Sequence, residues 1–351
     1  MLDLSFFKGK KIFITGHTGF KGSWLSFILY LNGAIIVGYS LKPKNKFDNF
    51  YLLSLHKKIK NHYEDVRNEK KLRNAITRFK PDIIFHLASQ PLVKESYIDP
   101  QFTFTTNIIG TLNILEIIKD LKSVKSAVII TSDKCYKNYE KTDGYSEKDE
   151  LGGEDPYSAS KAAAENIFYS YCKTYYETKN KVGLVSARAG NVIGGGDWSK
   201  DRIIPDLIRS IISNNKFIIR SPQSTRPWQH VFDLLNGYLI LSKKIFAKND
   251  YNGSWNFGPN EKHVSVLDVI SKLIKIMDLK KKIFIQPNKT IKETGLLSLK
   301  TDKSRKHLKW KPKLTINQTL KLTAEWYQYF IYDKKTIEKI SKKQIEDFFY
   351  D

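Results

Sequence analysis

The most constraining feature of this 351-residue sequence is a short apolar run that leads directly into a glycine-rich turn. Residues 11–15 read KIFIT, and Gly16, Gly19 and Gly22 follow within the segment GHTGFKG. Further apolar runs, separated by amphipathic stretches, occupy residues 34–39, 82–88, 127–131 and 182–187. This alternation predicts parallel strands joined by crossover helices, in an α/β fold built on a doubly wound sheet.

Glycines between a strand and a helix are suited to binding phosphate. They allow a tight turn and let backbone N–H groups approach a pyrophosphate at the helix N-terminus. Such glycines also mark ordinary turns, but the strand–turn–helix context favours a Rossmann-type dinucleotide site. The candidate cofactor contacts lie in this loop and at the ends of neighbouring strands: Gly16, His17, Gly19, Phe20, Lys21, Gly22, Asp65, Val66, Leu87 and Ala88.

Two side chains of the glycine loop, His17 and Lys21, are expected to face the diphosphate, although a solvated lysine at a helix start is equally ordinary. The apolar run at residues 34–39 is followed by no acidic residue before Asp48. An acidic residue there would bind the ribose 2′-hydroxyl of NAD. The residues therefore leave the choice between NAD and NADP open.

Tyr157 and Lys161 lie four residues apart, on one face of a predicted helix. A nearby ammonium favours the phenolate, so we expect Lys161 to lower the pKa of Tyr157 from about 10 towards neutrality. Ser132, which follows the apolar run at 127–131, would hydrogen-bond the reacting hydroxyl. Such a base removes a hydroxyl proton while hydride leaves the same carbon for a nicotinamide. A Tyr/Lys pair also occurs by chance on helix surfaces, and the dinucleotide loop favours the catalytic interpretation.

Local sequence signals also predict helix starts and a division into lobes. Asp-Pro pairs at 99–100 and 155–156 each combine an N-cap residue with proline in the first helical position. The irregular sequence after residue 190 is typical of a ligand-binding lobe. We predict a dinucleotide-binding domain of residues 1–189 and 231–258, and a smaller C-terminal substrate-binding lobe of residues 190–230 and 259–351. Residues 334–349 are predicted to form a charged surface helix.

Composition excludes several classes of protein. Two cysteines make neither a disulfide framework nor a metal cluster, so no metal is expected. The first residues do not resemble a signal peptide and no apolar run is long enough to span a membrane, so the expected location is the cytoplasm.

The net charge of +23 would suit nucleic acid or an anionic substrate. Because the lysines are mostly scattered and lack interleaved aromatics, we favour a solvated surface and expect no nucleic-acid partner.

From residue 11 to about residue 327 the sequence resembles the extended short-chain dehydrogenases/reductases, which share the glycine spacing described above. The residues after the fourth parallel strand, Ser132-Asp133-Lys134, distinguish the subfamilies. The dTDP-glucose dehydratases carry Asp-Glu at the last two positions and the GDP-mannose dehydratases carry Ser-Glu, whereas the epimerases have small residues. The Asp-Lys pair is similar to that of the CDP-glucose 4,6-dehydratases, as are the segments at 90–93, 188–198, 226–231 and 255–259. One departure is Lys300, which stands where that subfamily has aspartate.

The resemblance implies an NAD-dependent reaction on CDP-glucose, giving CDP-4-keto-6-deoxyglucose for deoxysugar or O-antigen-type polysaccharide biosynthesis. Tyr157 would remove the proton from the 4-hydroxyl, Lys161 would hold the nicotinamide ribose, and Asp133 would protonate the departing 6-hydroxyl. Lys134 would either remove the C5 proton or stay charged and stabilise the enolate, and the sequence leaves both roles open.

Substrate contacts and assembly are also implied. The candidate contacts are Gln90, Arg188, Asn191, Arg202, Arg226, His230 and Glu293, although Arg188 could instead pair with an acid inside the fold. The resemblance implies a homodimer or a dimer of dimers, formed through the helices that begin near residues 100 and 156.

Two alternative functions remain at this stage. The first is another dehydratase or a 4-epimerase, acting on a dTDP-, GDP- or UDP-sugar, against which the Asp-Lys pair argues. The second is a non-catalytic dinucleotide-binding or nucleic-acid-binding protein, which has no use for Ser132, Tyr157 and Lys161 together.

Overall fold

A computed structural model describes residues 2–43, 45–176, 182–260, 264–279, 282–286 and 296–350. Its strands, in chain order, are β1 (Lys11–Thr15), β2 (Ile35–Ser40), β3 (Lys60–Tyr63), β4 (Ile83–His86), β5 (Ser126–Ile130), β6 (Gly183–Ala189), β7 (Val192–Ile193), β8 (Phe217–Ile219), β9 (Thr225–Arg226), β10 (Gln229–His230), β11 (Gly253–Phe257), β12 (Val264–Ser265) and β13 (Ile283–Ile285). The apolar runs predicted as strands all form strands, with ends that shift by one or two residues.

The helices are α1 (Phe20–Leu31), α2 (Asn49–Leu52), α3 (Leu55–Lys58), α4 (Glu69–Phe79), α5 (Val93–Ile98), α6 (Pro100–Phe104), α7 (Gly110–Lys119), α8 (Pro156–Tyr171), α9 (Ile203–Ile212), α10 (Val231–Ala247), α11 (Val266–Ile276), α12 (Asp302–Leu308), α13 (Ile316–Tyr332) and α14 (Ile337–Phe349). Asp99 and Asp155 accept backbone hydrogen bonds as N-caps of α6 and α8, each followed by proline at the first helical position. Both predicted helix starts are therefore confirmed.

Seven strands form one parallel sheet in the order β11-β6-β5-β4-β1-β2-β3. The order reverses direction at β1, whose neighbours are β2 and β4. Each connection from one parallel strand to the next requires a crossover, and the helices between the strands supply it. The predicted doubly wound α/β sheet is confirmed.

Alternate residues of the central strands pack on opposite faces of the sheet. In β5, Val128 and Ile130 join a core with α1 and α10, whereas Ala127 and Ile129 join a second core with α4, α7 and α8. Strands buried on both faces need apolar residues at nearly every position, which is why these segments are continuous apolar runs. The two cores fix the sheet and leave the loops at its carboxyl edge free to carry chemistry.

The C-terminal helices are part of the main core. Trp326 and Phe330 of α13, together with Phe348 and Phe349 of α14, are buried in the cluster that contains α1 and α10. Each buried aromatic or aliphatic side chain contributes roughly 1.5–3 kcal/mol to stability. The predicted helix with a charged exposed face at 334–349 is confirmed, but α14 also buries an apolar face that the prediction did not include.

Candidate active site

The candidate site lies at the carboxyl edge of the sheet, where β1 and β4 meet. The strand order reverses there, with β2 and β3 on one side of β1 and the remaining strands on the other. Ligands of open α/β sheets bind in the crevice outside the carboxyl ends of the strands at such a point. The loops after β1, β4, β5 and β6 carry predicted site residues and therefore border one crevice.

The glycine loop after β1 is packed too closely for side chains. Gly16 has φ of +72°, and a Cβ there would lie 2.6 Å from the backbone nitrogen of Ala88 and 2.7 Å from the carbonyl carbon of Leu87. A Cβ on Gly22 would lie 2.1 Å from the carbonyl oxygen of Gly16. Gly19 is the N-cap of α1 and places no side chain over its first turn. This loop therefore fits the pyrophosphate of a dinucleotide, which needs close approach to backbone N–H groups.

His17 does not face the crevice as predicted. Its imidazole is fully buried against β2, and a Cβ on Gly38 would lie 2.3 Å from the ring. The Nε2 atom lies 2.9 Å from Oδ1 of Asn61. Burial lowers the pKa of His17 to about 4, so the ring is neutral. The prediction for this side chain is wrong, and His17 can contribute to the loop only through its backbone.

Lys21 and Phe20, at the start of α1, point to different surroundings. Burial and the charges of Arg202 and Lys161 lower the pKa of Lys21 to about 7, while Asp133 acts in the opposite direction. These influences locate the ammonium of Lys21 among charged groups of the crevice. Phe20 packs against the main core, where a Cβ on Gly194 would lie 3.4 Å from its ring tip.

Asp65 and Val66 follow β3 on the far side of the glycine loop. The Asp65 carboxylate accepts hydrogen bonds of 2.7 and 3.0 Å from the guanidinium of Arg67. Burial alone would raise the pKa of Asp65, but the hydrogen bonds and charge of Arg67 lower it overall. Val66 is buried, and a Cβ on Gly110 would lie 2.8 Å from its Cγ2. Their contact with the adenine end of a cofactor stays a prediction.

Tyr157, in the first turn of α8, shares a hydrogen bond with the hydroxyl of Ser132 at the end of β5. Both residues are less than a tenth exposed. Burial and the charge of Asp133 raise the pKa of Tyr157 to about 12, although Ser132 and Arg202 act to lower it. The expected lowering of this pKa is therefore wrong, because desolvation of the phenolate exceeds the attraction of the nearby cations.

Lys161 is buried one turn after Tyr157 on the same helix. Burial lowers its pKa to about 8, while the charge of Glu165 raises it. On β4, burial and the Lys161 charge lower the pKa of His86 to about 3, and its Nδ1 lies 2.7 Å from the hydroxyl of Thr15. Lys161 is therefore a mostly protonated ammonium at pH 7, close to a neutral imidazole.

Asp133 and Lys134 begin the 3₁₀ turn that follows β5. The Ser132 hydroxyl donates to Oδ1 of Asp133 at 3.0 Å and accepts from the Lys134 backbone at 3.2 Å. Asp133 is 3% exposed, and burial raises its pKa although Lys134 and Lys21 act to lower it. A Cβ on Gly190 would lie 2.9 Å from Oδ2 of Asp133. The structure thus brings a carboxyl that retains its proton more readily than usual next to Tyr157 and Ser132.

Arg188 is not available to a substrate. Its side chain is buried within β6, where Nη2 donates to Oε2 of Glu165 at 2.6 Å and Nη1 donates to the hydroxyl of Tyr136 at 2.8 Å. The prediction of a substrate contact is wrong, and the alternative that Arg188 pairs with an acid inside the fold is confirmed.

Gln90 and His230 also use their side chains inside the protein. The Gln90 amide donates to the hydroxyl of Thr103 at 2.8 Å and accepts from the backbone of Leu92 at 2.5 Å. The His230 ring is 1% exposed and accepts from the backbone N–H of Phe232 as the N-cap of α10. Burial lowers the pKa of His230 to about 3. The contacts of these two side chains with a substrate stay a prediction.

Arg202 stands at the mouth of the crevice, as the residue before α9. Its Nη1 donates to Oδ2 of Asp197 at 3.0 Å. Burial would lower the pKa of Arg202, but pairing with Asp197 raises it overall. Its charge also acts on Lys21 and Tyr157, which places the guanidinium beside the catalytic candidates.

The structure locates two of the three remaining predicted substrate residues, Arg226 and Asn191, near the crevice or at its edge. Arg226 lies in β9, and its charge lowers the pKa of Asp133, which locates it near the crevice. Asn191 follows β6 at the carboxyl edge, and its carbonyl accepts from the backbone of Gln229. Glu293 lies outside the described residues.

Comparison with known proteins agrees with this geometry. A family model described as GDP-mannose 4,6 dehydratase matches residues 13–323. The CDP-glucose 4,6-dehydratase of Salmonella typhimurium is 40% identical over 354 aligned residues, which cover 99% of this chain and 98% of that protein. The chain belongs to the GDP-mannose 4,6-dehydratase family. A further relative, the dTDP-D-glucose 4,6-dehydratase of Dictyostelium discoideum, is 30% identical over 76% of this chain and 62% of that protein.

Solved structures share the fold of this dehydratase-family chain. The dTDP-glucose 4,6-dehydratase of Bacillus anthracis, solved in complex with NAD, superposes with a TM-score of 0.76 at 23% identity, covering 91% of this chain and 97% of that one. The UDP-glucose 4-epimerase of Thermotoga maritima, solved with UDP-glucose, gives a TM-score of 0.80 at 21% identity, covering 92% and 99%.

Asn107 is a site-forming residue that the sequence reasoning missed. It lies in a π-helical turn, Thr105–Ile109, between α6 and α7. Its side chain accepts from the Gln90 backbone at 2.8 Å and donates to the Gln90 carbonyl at 3.1 Å and to the Ser160 hydroxyl at 2.8 Å. Asn107 therefore ties the loop after β4 to the helix turn between Tyr157 and Lys161. A polar residue inside the apolar stretch of a buried helix was the available signal.

Among the described residues, no three His, Cys, Asp or Glu side chains come together in a way that could hold a metal ion. No helix in the described ranges is long and apolar enough to cross a membrane.

Proposed function

We propose that this protein is an NAD-dependent CDP-glucose 4,6-dehydratase, which converts CDP-glucose into CDP-4-keto-6-deoxyglucose and water. The observation that carries the proposal is the Asp133-Lys134 pair beside Tyr157 and Ser132. It occurs in a chain that is 40% identical, along almost its full length, to a CDP-glucose 4,6-dehydratase. The close-packed glycine loop supports a dinucleotide cofactor.

The first chemical step needs a base at the sugar 4-hydroxyl. The glycine loop and Lys161 would hold NAD, which would supply reversible hydride transfer, first from C4 and then to C6. Tyr157 would accept the proton of the 4-hydroxyl, and its hydrogen bond with Ser132 would orient the phenol for this transfer. The cationic Arg202 favours the phenolate of Tyr157, and the buried ammonium of Lys161 would hold the nicotinamide ribose one helical turn away.

Loss of water from C5 and C6 needs an acid that protonates the leaving hydroxyl. It also needs a group that removes the C5 proton or stabilises the enolate that forms. Asp133 suits the first role because its burial raises its pKa, which favours the protonated form that an acid catalyst needs. Lys134 suits the second, either as a neutral amine that removes the C5 proton or as a cation that stabilises the enolate.

Recognition of the nucleotide diphosphate is assigned to the cations of the crevice. Lys21, Arg202 and Arg226 all act electrostatically on the catalytic candidates, and a guanidinium binds phosphate oxygens in a bidentate manner. Asn191, at the edge of the same crevice, is retained as a further contact. Glu293 is retained on the resemblance alone.

Assembly and biological role are also proposals. Exposed apolar side chains of or beside α5, α7 and α8, namely Tyr97, Ile98, Ile109 and Tyr169, support a homodimer or a dimer of dimers through this surface. We assign the sheet, with residues 1–189 and 231–258, to cofactor binding and the rest of the chain to substrate binding. The product would serve deoxysugar or O-antigen-type polysaccharide biosynthesis in the cytoplasm.

The test is turnover of separate sugar nucleotides by purified protein with NAD. We expect a ketosugar product from CDP-glucose, detected by mass spectrometry as loss of water and by the absorbance of the ketone in alkali. Tyr157→Phe serves as the control and should lose at least about 100-fold in kcat, because the base is removed. A ketosugar from dTDP-glucose or GDP-mannose but not CDP-glucose, or a 4-epimer without loss of water, would replace this assignment.

A further inference from the structure

A buried carboxylate lies directly behind the catalytic candidates. Glu165 is on α8, one turn after Lys161 and two turns after Tyr157, and it is fully buried. Residues four apart on a helix lie on the same face, so Glu165 continues the row that Tyr157 and Lys161 begin. An ionised group without solvent requires several hydrogen bonds and an opposite charge to remain stable.

Both oxygens of Glu165 are satisfied by side chains from β6, β11 and the residue that follows β5. Its Oε1 accepts from the hydroxyl of Thr131 at 2.5 Å. Its Oε2 accepts from Arg188 at 2.6 Å, from Ser186 at 2.9 Å and from Ser254 at 3.1 Å. Arg188 supplies the opposite charge and is itself 3% exposed. One carboxylate thus joins α8 to β5, β6 and β11.

The bond to Thr131 connects Glu165 to the reaction site. Thr131 immediately precedes Ser132, whose hydroxyl bonds both Tyr157 and Asp133. The hydrogen bond between Thr131 and Glu165 holds the end of β5 against α8. It therefore also fixes the distance between Ser132, which follows β5, and Tyr157 on α8. A loss of this bond would leave the end of β5 free to shift relative to α8.

The charge of Glu165 acts on Lys161. Burial disfavours the ammonium form of Lys161, whose charge in turn lowers the pKa of the nearby Lys21 on α1. The other groups near Lys161 are His86 on β4, which burial keeps neutral, and the thiol of Cys135 in the turn after β5. Glu165 is the carboxylate that opposes the desolvation of Lys161 most strongly.

We propose that Glu165 is a positioning residue of the dehydratase site, which keeps Lys161 protonated and holds Ser132 against Tyr157. This inference rests on the proposed function, because it assigns Glu165 a role through the residues placed there in catalysis. A purely structural role for the Glu165–Arg188 pair predicts a change in stability and no change in the titration of Lys161.

The experiment measures the titration of Lys161 directly, with no substrate present. Full-length protein labelled with [6-¹³C]lysine is titrated by NMR with and without NAD, and the Lys161 resonance is identified by its absence from Lys161→Arg. In Glu165→Gln the pKa of Lys161 should fall by about 1 unit or more, since the neighbouring negative charge is lost. Glu165→Asp, which keeps the charge, should restore most of the shift. Glu116→Gln on α7, which removes a carboxylate paired with Lys119, should leave the Lys161 titration unchanged.

Turnover of CDP-glucose provides the second readout. With a Lys161 pKa lowered by about 1 unit from about 8, the protonated fraction at pH 8 falls from about one half to about one tenth, whereas at pH 6.5 it falls only slightly, so kcat/KM should fall about fourfold more at pH 8 than at pH 6.5. If Glu165→Gln does not fold because Arg188 is left without its partner, Glu165→Gln/Arg188→Gln supplies a neutral pair for the same measurements.

The outcomes separate the two proposals. A Lys161 titration and a pH profile that match the wild type in every folded Glu165 variant overturn the positioning role and leave only a structural ion pair. Absence of CDP-glucose turnover by the wild type overturns the proposed function, while the titration without substrate still decides whether Glu165 controls the charge of Lys161.

Discussion

A buried carboxylate in α10 makes a quantitative prediction about stability and pH. Asp233 is 1% exposed and accepts from the backbone N–H groups of Lys313 at 2.6 Å and Leu314 at 3.3 Å, which ties the segment before α13 to α10. Burial raises the pKa of Asp233 from 3.8 to about 6, although these two hydrogen bonds act to lower it. The folded protein therefore binds this proton more tightly than the unfolded chain does.

The sign and size of the effect follow from linkage. A carboxyl with a raised pKa favours the folded state most when it is protonated, so its contribution is full below about pH 3.8 and is lost as pH rises through 6. A shift of roughly 2 units corresponds to about 3 kcal/mol in total. Between pH 7 and pH 5 the wild type should recover about 1.3 kcal/mol of this amount.

The assay compares urea unfolding of the wild type and Asp233→Asn at pH 7, 6 and 5. The amide cannot titrate, so the free energy of unfolding of the wild type relative to the variant should rise by about 1.3 kcal/mol from pH 7 to pH 5. Asp347→Asn, at an exposed position of α14, is the control and should show no such change. Parallel pH dependences for the wild type and Asp233→Asn would refute the reasoning.

Three further predictions concern the site. Gly22→Ala should weaken NAD binding at least about tenfold, because a Cβ 2.1 Å from the Gly16 carbonyl oxygen must displace the loop. Calorimetry measures the affinity for NAD, and an unchanged affinity would contradict the close packing of the loop. Because the base Tyr157 has a pKa of about 12 and Lys161 one of about 8, kcat/KM should rise with pH up to about 8 and level off above it, where each gain in phenolate is cancelled by loss of the Lys161 proton. A kcat/KM that keeps rising in proportion to hydroxide to pH 9.5 would mean that the Lys161 charge is not required. Arg226→Ala should raise KM for CDP-glucose about tenfold with a smaller effect on kcat, if the guanidinium binds phosphate; a fall in kcat alone would assign it to the chemical step.

The sequence predicted the elements around the site because they depend on local signals. Apolar runs, a glycine turn and Asp-Pro caps specify where β1, α6 and α8 begin, and the order of the strands then brings their loops to one edge. The direction of individual side chains depends on neighbours that are distant in sequence. His17 fits beneath β2 only because residue 38 is glycine, which no local pattern in the loop reveals.

The misassignment of Arg188 has a physical lesson. In a strand buried on both faces, residues two apart share a face, so Ser186 and Arg188 are expected to meet the same partner. Two polar residues in this alternation require a buried polar partner, and Glu165 supplies it. The pattern in β6 thus contained the signal for the ion pair, whereas the acidic partner on α8 could be identified only in three dimensions. The raised pKa of Tyr157 was missed for a similar reason, since its burial is a tertiary property.

The most direct test of the central claim follows one hydrogen atom through the reaction. CDP-glucose carrying deuterium at C4 is incubated with the enzyme and NAD, and the product is analysed by mass spectrometry and NMR. If Tyr157, Ser132 and Asp133 act as proposed on a sugar bound beside the nicotinamide, the deuterium appears at C6 of the same product molecule. A dehydrated product without deuterium at C6, its hydrogen drawn from water, would contradict the account.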